Sequence, residues 1–314
     1  MRYTAVTTIF NDKHEVVNLI NNLEQQTLQP EELIIVDGGS GTETISIVEK
    51  YIKTSKIPIR YILGDRLNIS QGFNRGIRET QTEYLAIVAV GNSYKNDFFE
   101  LLADRISKKS LDYAYSPFYG QDDTKFSKLY NQVYLNKNKG MKLDIASNHG
   151  VLIKKSVFEE LGYFYEKFIY AGEDLEFYEK VKQNKYNGEI VEDAKVYWDT
   201  PHTWKSYKKQ IRVYAIGRMQ IYGFLRILKA EKIKFIYSIG MVAILVLSFS
   251  KSYRYMGTAL LMIYLALNFY KSWKHGIDYT LLKNCSYILP VYYYVTRCKY
   301  MMKRYKVDNI ERLR

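Results

Sequence analysis

The chain has 314 residues, enough for one large domain or two of ordinary size. Its formal net charge of +13 predicts an anionic partner, which could be nucleic acid, a phosphate-bearing substrate or a membrane with acidic lipids. The two cysteines, Cys285 and Cys298, form no disulfide framework or metal-ligand pattern, so a reducing cytosolic environment is expected.

The first 90 residues alternate apolar strands with amphipathic helices. Strands are predicted over 4–10, 33–36, 57–63 and 84–90, with helices over 14–26, 44–53 and 70–79 between them. This alternation is typical of an α/β fold with a largely parallel sheet covered on both faces. Ligands of such folds bind at the carboxyl ends of the strands, so Asn11, Asp37 and the 89–92 turn are expected to converge.

The turn after the second strand reads Asp37-Gly-Gly-Ser-Gly41. It lacks the GxGxxG spacing of a dinucleotide site and the Lys-Ser/Thr of a P-loop. Asp37 at the strand end is placed to accept a hydrogen bond from a nucleobase or a ribose. The alternative is a plain tight connection.

An adjacent pair of carboxylates, Glu173 and Asp174, follows Gly172 at the predicted start of a helix. Acidic residues in a first helical turn interact favourably with the helix dipole. A carboxylate fixed in this way at the lip of a pocket is suited to act as a general base. The alternative is that the pair only caps the helix.

Several segments occur in an order and spacing that resemble the family 2 glycosyltransferases of the GT-A fold. These segments are Phe10-Asn11, Gln26-Thr27, residues 32–40, residues 68–77, Glu83-Tyr-Leu, residues 150–162 and residues 172–176. The resemblance covers roughly residues 3–218. It implies transfer of a sugar from a nucleotide-sugar to an acceptor hydroxyl, with inversion at the anomeric carbon.

The resemblance also implies roles for single residues. Asp174 corresponds to the base that takes the acceptor proton, and Glu173 orients the site or contacts the acceptor. The implied donor-binding residues are Thr8, Phe10, Asn11, Asp37, Asn74, Gly91 and Asn92, and the implied acceptor-side residues are Trp198, Gln210 and Arg212. The helix that carries Gln210 lacks the strict Gln-x-x-Arg-Trp motif of processive polysaccharide synthases. This difference favours addition of a single sugar over polymerisation.

One departure from the family concerns the metal. Family members normally end the fourth strand in Asp-x-Asp, whereas this chain has Ala89-Val90-Gly91-Asn92. Hard cations prefer carboxylate oxygens, so the need for a divalent metal, Mg or Mn, stays open. Other side chains could hold it, lysine or arginine could neutralise the leaving diphosphate, or the domain could have lost catalysis. The candidate ligands are Asp97, Asp122, Asp123 and His202, although Asp122-Asp123 also fits a solvated turn.

The C-terminal third is helical and apolar. A helix over 203–231 has aromatic residues on one side and lysines largely on the other, which fits a membrane surface or packing on the catalytic domain. Two stretches carry no formal charge, Phe235–Ser250 and Tyr255–Tyr270. This pattern predicts a hairpin that spans the membrane twice. A buried soluble hairpin and a re-entrant arrangement are the alternatives. Tyr287–Thr296 contains Pro290 and is expected to lie in the interface.

The predicted organisation has four parts: a GT-A domain over 1–202, an amphipathic interface region over 203–232, a membrane hairpin over 233–272 and a basic interfacial or cytosolic tail over 273–314. The hypothesis is an inverting glycosyltransferase of the cell membrane that faces the cytoplasm and serves polysaccharide biosynthesis. It would use a nucleotide-sugar and a lipid-linked or surface-polysaccharide acceptor. The alternative is a non-catalytic GT-A scaffold subunit. Nucleic-acid binding is not expected, because it does not explain the apolar hairpin.

Overall fold

The computed structural model describes residues 1–135, 141, 144–168 and 171–302. The chain divides into two units, one with the described residues of 1–121 and 135–200, the other with 122–134 and the described residues from 201 onward. The segment 122–134 thus groups with the C-terminal helices, although it falls inside the predicted 1–202 segment. The four-part division stays a prediction, and the end of its basic tail, residues 303–314, lies outside the described residues.

The elements are numbered in chain order. The strands are β1 (Tyr3–Ile9), β2 (Glu32–Asp37), β3 (Ile59–Leu63), β4 (Tyr84–Ile87), β5 (Asn92–Tyr94), β6 (Tyr113–Tyr115), β7 (Phe118–Gly120), β8 (Val151–Lys154), β9 (Gly188–Ile190) and β10 (Val196–Trp198). The helices are α1 (Lys13–Glu24), α2 (Thr42–Thr54), α3 (Ile69–Glu79), α4 (Phe98–Lys109), α5 (Lys125–Tyr134), α6 (Lys155–Leu161), α7 (Glu173–Gln183), α8 (Trp204–Ala230), α9 (Lys232–Phe249), α10 (Arg254–His275) and α11 (Ile277–Met302).

The main sheet of the first unit has the strand order β3-β2-β1-β4-β8-β6-β9 over the described residues. Strands β3, β2, β1 and β4 are parallel, and β8 runs antiparallel to β4 and β6. Ile9 pairs with Asp37, which in turn pairs with Leu63, so three strands end level at one edge of the sheet. The predicted α/β fold with a mainly parallel sheet is confirmed.

The fourth strand is shorter than predicted. It ends at Ile87 rather than at residue 90. Gly91 then adopts a φ of +82° and turns the chain into β5, which belongs to a second sheet of order β5-β10-β7. The apolar run Val88-Ala-Val90 therefore forms a connection between two sheets instead of prolonging one strand.

Helix α3 packs very closely on the sheet because two glycines one turn apart face it. A Cβ at Gly72 would lie 2.0 Å from Thr8 Oγ1, and one at Gly76 would lie 2.5 Å from Val6 Cγ1. The helix begins with a capping box in which Asn68 and Gln71 bond each other's backbone N–H groups. This close packing fixes α3 beneath the end of β1.

The second unit consists of helices in its described part. Helix α8 occupies the predicted 203–231 segment and is interrupted at Gly223, whose φ of 67° and ψ of 169° are not helical. Helices α9 and α10 form at the two predicted apolar stretches. Where they meet, a Cβ at Gly257 would lie 2.3 Å from the backbone nitrogen of Ser248, so the missing side chain allows close backbone approach.

Helix α11 contains Tyr287–Thr296, the stretch expected to lie in the interface, and that position stays a prediction. That stretch is part of a helix over Ile277–Met302, with Pro290 inside it. Proline removes one backbone donor from a helix interior but does not end this helix. Polar side chains tie α11 to its neighbours: the Tyr237 hydroxyl donates to Asn284 Oδ1 (3.0 Å) and lies 3.2 Å from the Tyr264 hydroxyl. Asn284 Nδ2 also donates to Asn268 Oδ1 (2.8 Å).

Candidate active site

Asp37 ends β2 and is fully buried. Its Oδ1 accepts hydrogen bonds from the backbone N–H groups of Gly39 (2.9 Å) and Ser40 (2.7 Å), and its Oδ2 accepts one from the Tyr61 hydroxyl (2.6 Å). Burial, together with this bond to Asp37, raises the pKa of Tyr61. The carboxylate therefore shapes the turn at the strand ends, and its contact with a nucleobase stays a prediction.

Asn11 joins the end of β1 to the same turn. Its Oδ1 accepts a hydrogen bond from the backbone N–H of Gly41 (2.9 Å), and its own N–H donates to Ser40 Oγ (2.8 Å). Asn11 has a φ of 59°, a left-handed conformation that asparagine tolerates better than most residues. The backbone N–H of Phe10 donates to Asp12 Oδ2 (2.7 Å). The structure brings Phe10 and Asn11 to the edge at which β2 ends.

Thr8 and Asn74 contribute to packing. The side chain of Thr8 lies against Gly72 of α3. Asn74 is 1% exposed, and its amide nitrogen donates to the Phe164 carbonyl (2.8 Å) and to Glu166 Oε1 (2.9 Å). Its Oδ1 accepts from the backbone N–H of Phe164 (2.9 Å). Asn74 therefore fastens the segment after α6 to α3, and its direct contact with a donor stays a prediction.

The turn between β4 and β5 offers no carboxylate. Asn92 is buried, and its amide is directed at His149: Nδ2 donates to the His149 carbonyl (3.3 Å), and Oδ1 lies 3.3 Å from His149 Nδ1. Because the amide oxygen of Asn92 only accepts hydrogen bonds, this arrangement requires the proton of His149 on Nδ1. The turn itself therefore does not fit a hard divalent cation.

The ring of His149 is enclosed by aromatic side chains. Its centroid lies 4.4 Å from that of Phe118 and 5.0 Å from that of Trp198, the predicted acceptor-side residue. Burial lowers the pKa of His149 to about 4, so the imidazole is neutral at physiological pH. His149 therefore forms hydrogen bonds within the fold.

Glu173 and Asp174 begin α7, and Gly172 precedes them with a φ of 113°, which a glycine adopts without strain. Glu173 is 5% exposed, and its Oε2 has no partner among the described residues. Asp174 is partly buried, and its Oδ1 accepts a hydrogen bond from the backbone N–H of Leu175 (2.7 Å). Two carboxyl groups thus share one largely dry site.

The surroundings of the two carboxyl groups shift the pKa of each. Burial, and then repulsion by Asp174, raise the pKa of Glu173 to about 8. Burial also raises the pKa of Asp174, but backbone N–H groups of Leu175 and Asn148 oppose that rise. Burial therefore favours the neutral form of each carboxyl group, while the backbone donors of Leu175 and Asn148 stabilise the charged form of Asp174.

Helix α7 also carries a buried tyrosine one turn after the acidic pair. The Tyr178 hydroxyl donates to Asn148 Oδ1 (3.2 Å), and the other end of that amide, Nδ2, is buried without a partner among the described residues. Burial, and then the charges of Asp174 and Glu173, raise the pKa of Tyr178, so the hydroxyl stays protonated and donates. Tyr178 and Asn148 therefore belong to the surroundings of the pair.

Gln210 and Arg212, the other predicted acceptor-side residues, lie in α8 of the second unit. Gln210 Nε2 donates to the Tyr214 hydroxyl (3.4 Å), and Arg212 is partly exposed. Among the candidate metal ligands of this unit, Asp123 Oδ2 lies 3.9 Å from His202 Nε2, whereas Asp122 Oδ1 accepts from Asn131. Asp123 and His202 thus offer a carboxylate and an imidazole, the donor types that Mn²⁺ accepts.

Sequence reasoning missed the partners that come from distant segments. Tyr61 on β3, Glu166 after α6 and Tyr178 on α7 each bond a predicted site residue or its neighbour. No motif marks them, because their roles depend on strand register and on side-chain direction. The i, i+4 spacing of Asp174 and Tyr178 on one helix was the signal available for Tyr178.

Comparison with known proteins decides the family. The sequence model of glycosyl transferase family 2 matches residues 4–162, half of the chain. The chain belongs to glycosyl transferase family 2. A second model, glycosyl transferase family group 2, matches residues 119–272. The resemblance read from the motifs is thus confirmed at the level of the family.

Two curated relatives align with part of this family 2 chain. The cholesterol galactosyltransferase of Borreliella burgdorferi is 25% identical over 118 residues, which are 38% of this chain and 33% of the relative. Glycosyltransferase GlyG of Streptococcus pneumoniae serotype 4 is 24% identical over 122 residues, 38% of this chain and 40% of the relative. The alignments thus span well under half of each relative.

Solved structures share the fold. A mannosyltransferase from Pyrobaculum calidifontis, PcManGT, in complex with GDP-Man and Mn²⁺, has a TM-score of 0.65 at 16% identity and covers 90% of this chain and 86% of its own. Residues 1–349 of S. aureus TarS in complex with UDP have a TM-score of 0.52 at 15% identity and cover 70% and 66%. At these identities the likeness confirms the GT-A fold.

Proposed function

We propose that this family 2 protein is a membrane-associated inverting glycosyltransferase that moves a sugar from a nucleotide-sugar to a hydroxyl of a lipid-linked or surface-polysaccharide acceptor. The observation that carries the proposal is the pair of carboxyl groups at the start of α7. Burial and the charge of Asp174 raise the pKa of Glu173 to about 8, and the backbone N–H groups of Leu175 and Asn148 stabilise the charged form of Asp174. A buried carboxylate that is stabilised by backbone donors beside a neutral acid is suited to act as a general base.

The chemistry is a single displacement. The acceptor oxygen forms a bond to the anomeric carbon, and the bond from that carbon to the diphosphate breaks. Asp174 takes the acceptor proton as charge develops on the oxygen, and the nucleoside diphosphate leaves with the bonding electrons. Attack opposite to the leaving group inverts the anomeric carbon. Neutral Glu173 adds no second negative charge beside the base.

Donor binding is proposed for the edge at which β1 and β2 end. Thr8, Phe10, Asn11, Asp37 and Asn74 are grouped there or directly behind it, and the register of β1 with β2 supports this grouping. Gly91 and Asn92 follow β4, the other neighbour of β1 in the sheet. Nucleotide-sugars are bound in solved structures of similar fold, which supports the class of donor.

A divalent cation would neutralise the charge of the departing diphosphate. The β4–β5 turn does not fit one, so lysine or arginine side chains would neutralise that charge, or other side chains would hold the metal. Asp123 and His202 of the second unit are candidate ligands, because they offer a carboxylate and an imidazole. Asp199 precedes His202 by three positions in the sequence. A mannosyltransferase with a similar fold was solved in complex with GDP-Man and Mn²⁺, which supports a metal requirement.

Membrane attachment is proposed through the helices of the second unit. Among the described residues, α9 is the helix long and apolar enough to span a membrane, with a mean hydropathy of 1.8 and 6% of the span buried. Helix α10 packs against it and exposes Phe269 and Trp273. The formal charge of +13 would favour acidic lipids, and a cytoplasmic catalytic unit would meet nucleotide-sugars where cells make them.

The test is nucleotide release by the full chain in detergent with a membrane lipid extract, using UDP-glucose, UDP-galactose, UDP-N-acetylglucosamine and GDP-mannose in turn. Replacement of Asp174 by asparagine is expected to lower turnover by about 100-fold to 10,000-fold while donor binding persists. Asp104→Asn, an exposed change on α4, is the matched control. Undiminished turnover in Asp174→Asn would refute the base assignment. Loss of turnover with EDTA, restored by Mn²⁺, would show that turnover requires a divalent metal.

The second candidate function is a GT-A scaffold that binds a nucleotide-sugar without turnover. The absence of a carboxylate from the Ala89–Asn92 turn favours it. Calorimetric binding of a donor, combined with no nucleotide release from any of the four donors in the presence of the lipid extract, would select the scaffold over the transferase.

A further inference from the structure

The first three turns of α8 carry four cations on one face of the helix. We call this set the basic stripe, and its members are Lys205, Lys208, Lys209 and Arg212. Their spacing of i, i+3, i+4 and i+7 makes them neighbours on the helix surface. The three lysines are exposed, and none of the four cations forms an ion pair with a described residue. Helix α8 contains no aspartate or glutamate, so it supplies no counter-charge of its own.

The charge of the stripe is unfavourable for the isolated helix. Like charges three or four positions apart destabilise a helix, because such side chains lie next to each other. Helices of the first unit pair a lysine with an acid at the same spacing: Lys108 Nζ lies 3.3 Å from Asp104 Oδ2 on α4, and Lys180 Nζ lies 2.5 Å from Glu176 Oε1 on α7. The stripe lacks this compensation, which indicates that a negatively charged partner supplies it.

The apolar side of the same turns is packed inside the second unit. Tyr207 is fully buried, and its hydroxyl lies 2.6 Å from that of Tyr134 on α5. Ile211, one turn later, is also buried. A helix that binds a membrane by insertion turns its apolar side towards the lipid. This part of α8 has no free apolar side to insert, so a membrane contact here is made through the cations.

The stripe lies close to the start of α9, the helix that is apolar enough to span a membrane. Ala215 and Met219 of α8 share a buried cluster with Phe235, which belongs to the first turn of α9. Arg212 precedes Ala215 by three residues, which is about 4.5 Å along the helix. Charges in physiological salt interact over a Debye length of about 8 Å. A span that begins at Lys232 would therefore bring lipid headgroups within electrostatic reach of the stripe.

We propose that the basic stripe docks on the headgroups of acidic lipids, and that a bilayer containing such lipids is the partner of this face of α8. The inference rests on the proposed membrane attachment and names the lipid class that completes it. It does not depend on the transferase chemistry. The contact is electrostatic and lies at the membrane surface, whereas α9 enters the hydrocarbon. A neutral bilayer would hold α9 and leave the stripe in water.

Soluble polyanions fit the position of the stripe less well than lipid headgroups do. A nucleic acid or an anionic glycan would have to bind from solution with its full cost of association. Insertion of α9 instead holds the headgroups beside the stripe, so their effective concentration is high without further cost. The stripe and the apolar helix belong to the same unit, which favours one partner that satisfies both.

The experiment measures how fast each lysine of the full wild-type chain is acetylated in lipid vesicles. The reagent is sulfo-N-hydroxysuccinimide acetate, which does not cross bilayers, and mass spectrometry gives the rate at each lysine. The vesicles consist of phosphatidylcholine alone or with one fifth phosphatidylglycerol, in low and in high potassium chloride. Exposed lysines of the first unit serve as the reference in the same sample: Lys50, Lys53 and Lys56. Rates relative to this reference are independent of the fraction of chains that face outwards.

On the acidic vesicles, the relative rates at Lys205, Lys208 and Lys209 are expected to fall about 5-fold, the gain in binding that one cation obtains near an acidic surface. High salt should restore them, because it screens the charges. On neutral vesicles the relative rates should equal those in detergent. These measurements need no substitution, so they do not depend on the folding of a variant.

A pair of variants separates the stripe from net charge. One variant has glutamine at all four positions of the stripe. The other loses the same charge from exposed positions of the first unit, through Lys50→Gln, Lys53→Gln, Lys56→Gln and Lys182→Gln. After capture of the chain from mixed vesicles in detergent, the stripe variant should retain less phosphatidylglycerol per phosphatidylcholine than the wild type. The other variant should retain as much as the wild type.

Several results would overturn the inference. Equal relative rates on neutral and acidic vesicles would do so, as would slowing that persists in high salt or an equal loss of phosphatidylglycerol in both variants. Inorganic polyphosphate that protects the stripe on neutral vesicles better than phosphatidylglycerol does on acidic ones would assign it to a soluble polyanion. A chain that floats with neither vesicle would refute membrane attachment and the inference together.

Nucleotide release on the same vesicles reports the transferase separately. Protection of the stripe without turnover supports the lipid contact and counts against catalysis alone. Turnover without protection supports the transferase and overturns the lipid contact alone.

Discussion

Replacement of Glu173 by glutamine tests the shared proton of the acidic pair through stability. Glutamine keeps the size and the neutral state of the protonated carboxyl group and removes its titration. Because burial and the charge of Asp174 raise the pKa of Glu173 from 4.5 to about 8, the folded chain keeps a proton that the unfolded chain releases. The free energy of unfolding should therefore fall between pH 4.5 and about pH 8, by up to about 1.4 kcal/mol for each pH unit.

The assay is thermal unfolding of the full chain in detergent at a series of pH values. The melting midpoints of wild type and Glu173→Gln should depend on pH in a similar way below about pH 4.5. As the pH rises to about 8, the midpoint of the variant should rise relative to that of the wild type. Each kcal/mol in the free energy of unfolding corresponds to a shift of about 2–4 °C in the midpoint of thermal unfolding for a domain of this size. Glu159→Gln, an exposed change on α6, should follow the wild type throughout. A difference between wild type and Glu173→Gln that does not change with pH would refute the shared proton.

Three further substitutions test the packing that supports the site and the helices. Gly72→Ala should lower the free energy of unfolding by about 1–3 kcal/mol in denaturant titrations, because its Cβ would meet Thr8 Oγ1 at 2.0 Å. Asn74→Ala should cost about 1–3 kcal/mol in the same assay, since it leaves buried backbone groups of the neighbouring segment unpaired. Gly257→Ile should lower the melting midpoint in detergent by forcing α10 away from α9, whereas Gly240→Ile, with no heavy atom within 4 Å of its Cβ position, should not.

The sequence was sufficient for the first four strands of the main sheet, because apolar strands alternate there with amphipathic helices. Alternation of apolar strands and amphipathic helices predicted β1 to β4 and α1 to α3. The end of β4 was predicted too late, since Val88–Val90 is as apolar as a strand and Gly91 decides the turn through its positive φ. Pro290 interrupts the apolar stretch Tyr287–Thr296 in the sequence, yet it lies inside α11, because a helix can continue past the one backbone donor that proline removes.

The only part of the candidate site that was predictable is the acidic pair, because both of its residues lie in one short motif. Glu173 and Asp174 are adjacent in the chain, and their place at a helix start follows from Gly172. Burial raises the pKa of both carboxyl groups, and one of the donors that oppose the rise at Asp174 is the backbone N–H of Asn148, 26 positions earlier in the chain. Burial and hydrogen-bond partners depend on the folded arrangement, so neither pKa could be read from composition or spacing.

The hydrogen bonds of Tyr237 have a consequence for biosynthesis. Its partner Asn284 lies 47 positions later in the chain. Ribosomes add about 5–20 residues per second, so α9 and α10 emerge several seconds before α11 can reach them. During that interval Tyr237 has Tyr264 within reach but not the amide that joins both tyrosines to Asn268. A nascent chain stalled before Ile277 would therefore present incompletely paired polar groups to the cell's quality-control machinery, and completion of α11 would remove that signal.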